Sequence, residues 1–149
     1  MKYLYAYPEK CSGCRMCAIA CALKHQGQCN PKMGAINIVR DEFERYEMQF
    51  VCLQCDDAEC VRVCTKKALR KEGNVVKRDD KRCIRCRMCV IACPYAGVHS
   101  FKGKIIKCDT CDGDPLCVKL CSTGALKYEE ETREIVERRK ALSKVLLKH

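Results

Sequence analysis

Sixteen of the chain's seventeen cysteines fall into four quartets, and their spacing constrains this sequence more than any other feature. The third quartet, Cys83, Cys86, Cys89 and Cys93, is spaced C-x2-C-x2-C-x3-C and is followed by Pro94. The first, Cys11, Cys14, Cys17 and Cys21, has the same spacing; Cys14-Arg15-Met16-Cys17 and Cys86-Arg87-Met88-Cys89 are copies. The second, Cys52, Cys55, Cys60 and Cys64, reads C-x2-C-x4-C-x3-C, and the fourth, Cys108, Cys111, Cys117 and Cys121, reads C-x2-C-x5-C-x3-C. These two also match through Cys55-Asp56 and Cys111-Asp112, Cys60-Val61 and Cys117-Val118, and Ala68-Leu69 and Ala125-Leu126. The order A-B-A-B is an internal duplication.

Three frameworks use cysteine at this density. Disulfides need an oxidising compartment. The stretch Met1–Glu9 has no apolar core or cleavage signal of an export leader, so a cytoplasmic location is expected. Zinc takes its ligands as two spaced pairs, whereas here a third and a fourth cysteine follow each pair with three residues between them. Iron–sulfur cubanes account for the pattern. A tight loop wraps one corner of a cube with three thiolates, and the fourth cysteine, followed by proline, reaches a neighbouring cluster. Four quartets predict four 4Fe–4S clusters.

The formal charge of +10 has the same origin. Each oxidised cube with four thiolates carries roughly −2, so four bring about −8 and the holo-chain falls to roughly +2. The basic residues then compensate bound anions, and a zinc-dependent nucleic-acid binder is the less favoured alternative. No segment approaches the apolar length of a membrane span, so none is expected.

Between the cysteines the sequence predicts small elements. Ala35–Val39 and Glu47–Val51 read as a hairpin flanking the charged 40–46 stretch. Ala68–Lys77 reads as a second, turning at Gly73-Asn74, and Phe101–Ile106 as a third. Short helices are expected after the third cysteine of each quartet, with Val61, Val63, Val118 and Leu120 enclosing metal and Met16 and Met88 packed on clusters. Beyond about residue 129, Ile135, Leu142, Val145 and Leu146 recur at near-helical spacing, with Glu134 and Arg138 at i and i+4. A C-terminal amphipathic helix over 129–149 follows.

From Cys11 to Leu126 the chain resembles the four-cluster iron–sulfur subunits of molybdenum and tungsten oxidoreductases, such as those of dimethyl sulfoxide reductase and formate dehydrogenase. The resemblance rests on all four quartets and the two Ala-Leu pairs. It implies an exchange of fourth ligands: one cluster on Cys11, Cys14, Cys17 and Cys121, and its partner on Cys108, Cys111, Cys117 and Cys21. An inner pair takes Cys52, Cys55, Cys60 and Cys93, and Cys83, Cys86, Cys89 and Cys64. The implied fold is α+β, with two bacterial-ferredoxin-like modules, each binding two 4Fe–4S clusters, plus short β-hairpins and the C-terminal helix. The outer module covers 1–50 and 95–128, and the inner one 51–94.

Some members of that family lack one cysteine of the third quartet; Cys86 is present here, so four cubanes are expected. Ala22, Thr65 and Ser122 stand where Pro94 follows the third quartet, and each keeps an N–H that could donate to sulfur. Cys21–Gly27 and Asn30-Pro31 resemble the small polyferredoxin subunits that accompany tungsten aldehyde oxidoreductases, carbon monoxide dehydrogenases or hydrogenases.

No nucleophile-and-base pattern or glycine-rich phosphate loop is present, so the expected role is electron relay rather than catalysis. The chain is expected to serve a large tungstopterin- or molybdopterin-containing catalytic subunit in anaerobic metabolism, with a further redox subunit or ferredoxin as a possible second partner. The aldehyde oxidoreductase branch is favoured. A diffusing polyferredoxin serving a carbon monoxide dehydrogenase, hydrogenase or formate dehydrogenase is the alternative. Lys81, Arg82, Arg85 and Arg87 crowd the third quartet. Cys29 lies outside all quartets and reads as a spare loop thiol, and His25 and His99 as surface groups or neighbours of the ligands.

Overall fold

The computed structural model describes residues 1–41, 46–133 and 137. Among these residues it is α+β, built from four separate two-stranded antiparallel ribbons, four α-helices and three short 3-10 turns. Strand β1 (Lys2–Ala6) pairs with β8 (Leu126–Glu130), so that Leu4 faces Tyr128 and the two ends of the cysteine-rich region are tied together. The other ribbons are local hairpins: β2 (Asn37–Asp41) with β3 (Tyr46–Phe50), β4 (Leu69–Glu72) with β5 (Val75–Arg78), and β6 (Val98–Phe101) with β7 (Lys104–Lys107).

All three expected hairpins form, with shifted ends. Ala35 and Ile36 precede the first strand as buried core residues, and the third hairpin begins earlier, at Val98. Two-residue turns close the second and third. Gly73 opens one with φ 61°, and Lys102 and Gly103 make the other with φ 46° and 76°. The β1–β8 pairing is an addition. It places Glu129 and Glu130 in a strand where the tail was expected to begin. Most of the expected C-terminal helix, including Ile135, Leu142, Val145, Leu146, Glu134 and Arg138, lies outside the described residues.

Each helix starts one residue before the third cysteine of a quartet rather than after it. These are α1 (Met16–Gln26), α2 (Glu59–Arg62), α3 (Met88–Ala92) and α4 (Leu116–Lys119). The first-turn N–H groups therefore surround the third sulfur, and those of Ala18 and Val118 act on Cys17 and Cys117. Met16 and Met88 open their helices, each 47% exposed, and Met88 lines the cavity formed by Cys64, Cys83, Cys86 and Cys89, where it was expected to pack. Leu120 is likewise exposed, while Val61 and Val118 do pack into the cores.

The duplication is written in the backbone. Gly13 and Arg85, before the second cysteine of quartets one and three, have φ 70° and 60°; Arg15 and Arg87, after it, have 59° and 64°. Gln54 and Thr110, before the second cysteine of quartets two and four, have 49° and 58°. Lys67 and Gly124, three residues past the fourth cysteine, have 50° and 65°. Left-handed residues at these positions reverse the chain around each loop so that successive thiols point inward.

Candidate metal centres

None of the seventeen cysteines is in a disulfide, and the quartet thiols converge in sets. Cys52, Cys55, Cys60 and Cys93 line one cavity of about 230 Å³, closed by Ala58, Val76, Pro94, Gly97 and Val98. Cys64, Cys83, Cys86 and Cys89 line a second, with Leu69 and Ile105 behind them. In both cavities the fourth thiol comes from a different quartet than the first three.

Electrostatics sort the remaining thiols. Burial pushes Cys17 up to about 12, and the nearby thiols of Cys11, Cys121 and Cys14 add to it. Burial likewise raises Cys117 to about 12, reinforced by Cys21, Cys111 and Cys17. Cys60 is raised by burial to about 11, with Cys52, Cys93 and Cys55 as its thiol neighbours. Cys89 is raised by burial and then by Cys83, Cys64 and Cys86. Thiols packed this closely cannot all ionise without a counter-charge, and iron supplies one. The donor set fits 4Fe–4S groups: four sulfurs per set, in low-polarity surroundings.

Hydrogen bonds to these sulfurs come from fixed places. The N–H of Gly13 lies 3.4 Å from Cys11 Sγ, that of Ala35 3.3 Å from Cys21 Sγ, that of Ala68 3.2 Å from Cys64 Sγ, and that of Thr110 3.4 Å from Cys108 Sγ. Burial alone would raise Cys121, but the Thr123 hydroxyl and the N–H groups of Leu126, Ala125 and Thr123 outweigh it, and its thiol is lowered. Donors to the fourth cysteines thus come from further along the chain than Ala22, Thr65 or Ser122; the N–H of Ala22 is spent inside α1.

Two further contacts bear on the ligands, the first fitting the expectation of His25 as a neighbour of the ligands, the second not legible in the sequence. His25, near the end of α1, places Nε2 3.3 Å from Cys111 Sγ and 3.7 Å from Asp109 Oδ1. Its bond to the sulfur lowers the Cys111 thiol. His25, Asp109 and Cys111 each bring one donor atom within 4.8 Å of the others. The other contact is a junction. Gln54 is 1% exposed, donates from Nε2 to the Cys108 carbonyl at 2.9 Å, and accepts from the Val76 N–H at 2.9 Å. Lys107 Nζ donates to Cys52 Sγ at 3.1 Å, to Gln54 Oε1 at 3.3 Å and to the Cys108 carbonyl at 3.1 Å. One cation therefore links the Cys52 set to the Cys108 loop. His99 Nε2 lies 3.4 Å from the Lys32 carbonyl.

Cys29 is exposed and lines neither of the two thiol cavities. Replacing it with serine is expected to leave iron per chain unchanged; a loss of about four irons on metal analysis would make it a ligand.

Among the described residues no helix is long and apolar enough to cross a membrane. Residues 43–131 match the model of the 4Fe–4S dicluster domain. The polyferredoxin-like subunit of aliphatic sulfonate oxidoreductase from Pyrococcus furiosus is 40% identical over 119 residues, covering 76% of this chain and 68% of that one. The beta subunit of NADH-dependent phenylglyoxylate dehydrogenase from Aromatoleum evansii is 38% identical over 81% of this chain, which spans only 28% of that protein's length. Electron transport protein HydN of Escherichia coli K12 is 30% identical, covering 84% and 86%. Among solved structures, a chain of the active site complex BamBC of benzoyl coenzyme A reductase with zinc is 28% identical. It covers 98% of this chain and 90% of that one, with a TM-score of 0.50. The same complex with benzoyl-CoA, at 24% identity and a TM-score of 0.51, is alike in fold. The chain thus belongs to the 4Fe–4S dicluster domain family, as a polyferredoxin-type electron-transfer subunit that binds several 4Fe–4S clusters.

Proposed function

We propose that the chain carries four 4Fe–4S clusters in two interleaved ferredoxin-like modules, 1–50 with 95–128 outside and 51–94 inside. The clusters sit on Cys11, Cys14, Cys17 and Cys121; on Cys108, Cys111, Cys117 and Cys21; on Cys52, Cys55, Cys60 and Cys93; and on Cys83, Cys86, Cys89 and Cys64. The observation that carries this reading is the exchange in the inner pair, where two cavities are each lined by three thiols of one quartet and one of the other.

Contacts between sets support a linear order. Cys17 adjoins Cys117, Cys52 adjoins Cys108, and the two inner sets share one core. When bound, the clusters supply one-electron chemistry. The chain holds them at fixed spacing, keeps water off the buried sulfurs and directs N–H groups at them. The partner is a large catalytic oxidoreductase subunit of tungstopterin or molybdopterin type, in the cytoplasm. The relatives, subunits of a sulfonate oxidoreductase and a phenylglyoxylate dehydrogenase, support a catalytic partner, and the family resemblance supports its pterin type. Co-elution of the native chain with a large subunit containing tungsten or molybdenum tests this; elution alone would favour the diffusing carrier.

The exchange itself has a sharp test. Cys64→Ser is expected to alter the EPR signal and potential of the cluster on Cys83, Cys86 and Cys89, and to leave the cluster based on Cys52 intact. Cys93→Ser should do the converse. If each variant instead damages only the cluster of its own quartet, the modules do not exchange ligands.

A further inference from the structure

Of the sixteen quartet cysteines only Cys14 and Cys86 are exposed, and they belong to the two terminal sets of the linear order. Their surroundings differ. Around Cys86, Ile84, Met88 and Ile91 are 58%, 47% and 78% exposed, and the first two line the same cavity as the thiols. Lys66, Arg85 and Arg87 line that cavity as well, with Lys67 and Lys81 adjoining in sequence. All five cations are exposed, and among the described residues none is in an ion pair. The nearby acids are taken: Asp79 lies 3.6 Å from Arg82, and Asp80 2.6 Å from Arg78.

At the Cys14 end most of the cations have partners, although among the described residues Arg15, exposed beside the thiols, is in no ion pair. Lys119 pairs with Asp114 at 2.6 Å, Lys24 donates to the Asp114 carbonyl at 3.5 Å, and Lys10 and Lys127 stand over the Tyr7 ring. A cluster of roughly −2 neutralises less than half of the five unpaired cations at the Cys86 end. An apolar centre with a charged rim is the composition of a transient protein interface, and the excess charge selects its complement.

We propose that the Cys86 end is the docking face for an acidic one-electron carrier protein, which seats on Ile84, Met88 and Ile91 within the ring of cations. This rests on the four-cluster reading, in which Cys86 is a ligand of a terminal cluster. The partner gives or takes one electron and no bond is made or broken.

The test mixes oxidised holo-protein anaerobically with a reduced, small acidic 2Fe–2S ferredoxin as probe and follows electron transfer by stopped flow. The rate is expected to fall roughly tenfold or more between about 0.02 and 0.4 M salt. Arg85→Glu with Arg87→Glu should lower the low-salt rate by about tenfold or more and flatten its salt dependence. Lys66→Glu with Lys81→Glu, off the central ligand loop, should do the same if the first pair disturbs cluster loading. Lys10→Glu with Lys127→Glu, at the opposite end, should change the rate less than about twofold. A salt-independent rate, equal losses at both ends, faster transfer with a basic cytochrome, or a dimer that the Arg85/Arg87 change dissociates would each overturn the docking face. Iron per chain on the same samples separates the two readings. About 16 irons with a salt-independent rate leaves the four-cluster reading standing; far fewer irons overturns both.

Discussion

Stripped of iron under anaerobic, reducing conditions, the chain is expected to lose its fold rather than relax into a metal-free version of it. Among the described residues every sheet has two strands of four or five residues, and three of the four α-helices have four or five residues. An isolated two-stranded ribbon is marginal in water, and helices this short do not hold themselves. The cores that could join these pieces run through the metal sets. Cys17 and Cys117 sit among Leu4, Ile36, Val51 and Leu126, and Cys60 sits among Leu69, Val76, Val98 and Ile105. Metal bonding at one structural zinc site in a small domain is worth about 10–16 kcal/mol, as large as the whole stability of an ordinary domain. Losing several such sets removes more than the remaining apolar contacts supply. Far-ultraviolet circular dichroism should show loss of ordered structure, and heating should give no cooperative transition. Iron and sulfide should restore both. A sharp melting transition in iron-free chain would show that the ribbons and their small cores stand alone.

What the sequence made legible follows from how local each signal is. The four cysteine quartets were readable because a cubane fixes the spacing of its ligands, whereas their pairing was implied only by the family resemblance; the hairpins were readable because two-residue turns such as Gly73-Asn74 announce themselves. The β1–β8 ribbon was not, since nothing in Tyr3-Leu4-Tyr5 says that its partner lies at Lys127–Glu129, more than 120 residues away. The only local hint is that Leu126 repeats Leu69, which starts β4. Met16 and Met88 were half legible: each is the first residue of a helix and 47% exposed, yet Met88 still lines the cavity of the Cys86 loop beside its third cysteine. Gln54 and Lys107 were invisible for another reason. Each flanks a cysteine in a common-looking loop, and their significance arises only when two loops about fifty residues apart meet at one sulfur.

That meeting point carries the second large expectation. Lys107→Met is expected to lower the midpoint potential of the cluster based on Cys52 while iron per chain stays unchanged. Methionine keeps the length and the apolar stem of lysine and removes only the cation. The loop survives the loss, because Gln54 still donates to the Cys108 carbonyl and still accepts from Val76. What disappears is a positive charge 3.1 Å from Cys52 Sγ. Such a charge favours the reduced cluster, which carries one more negative charge than the oxidised one. At ~5 Å from the cluster and an effective dielectric near 20, the interaction is worth about 1–3 kcal/mol, or ~40–130 mV for one electron. Lys107→Arg, which keeps the charge, should stay close to the parent. Redox titration monitored by EPR distinguishes these cases, and midpoints that all stay within ~20 mV would mean the ammonium is screened. The direction matters for the relay. On the proposed two-module reading, the cluster beside Lys107 meets the other module at Cys108, and this ammonium sets whether an electron crossing between modules runs downhill or must climb. Lowering that one potential should slow transfer between modules in one direction more than in the other, an asymmetry that a change in overall stability would not produce.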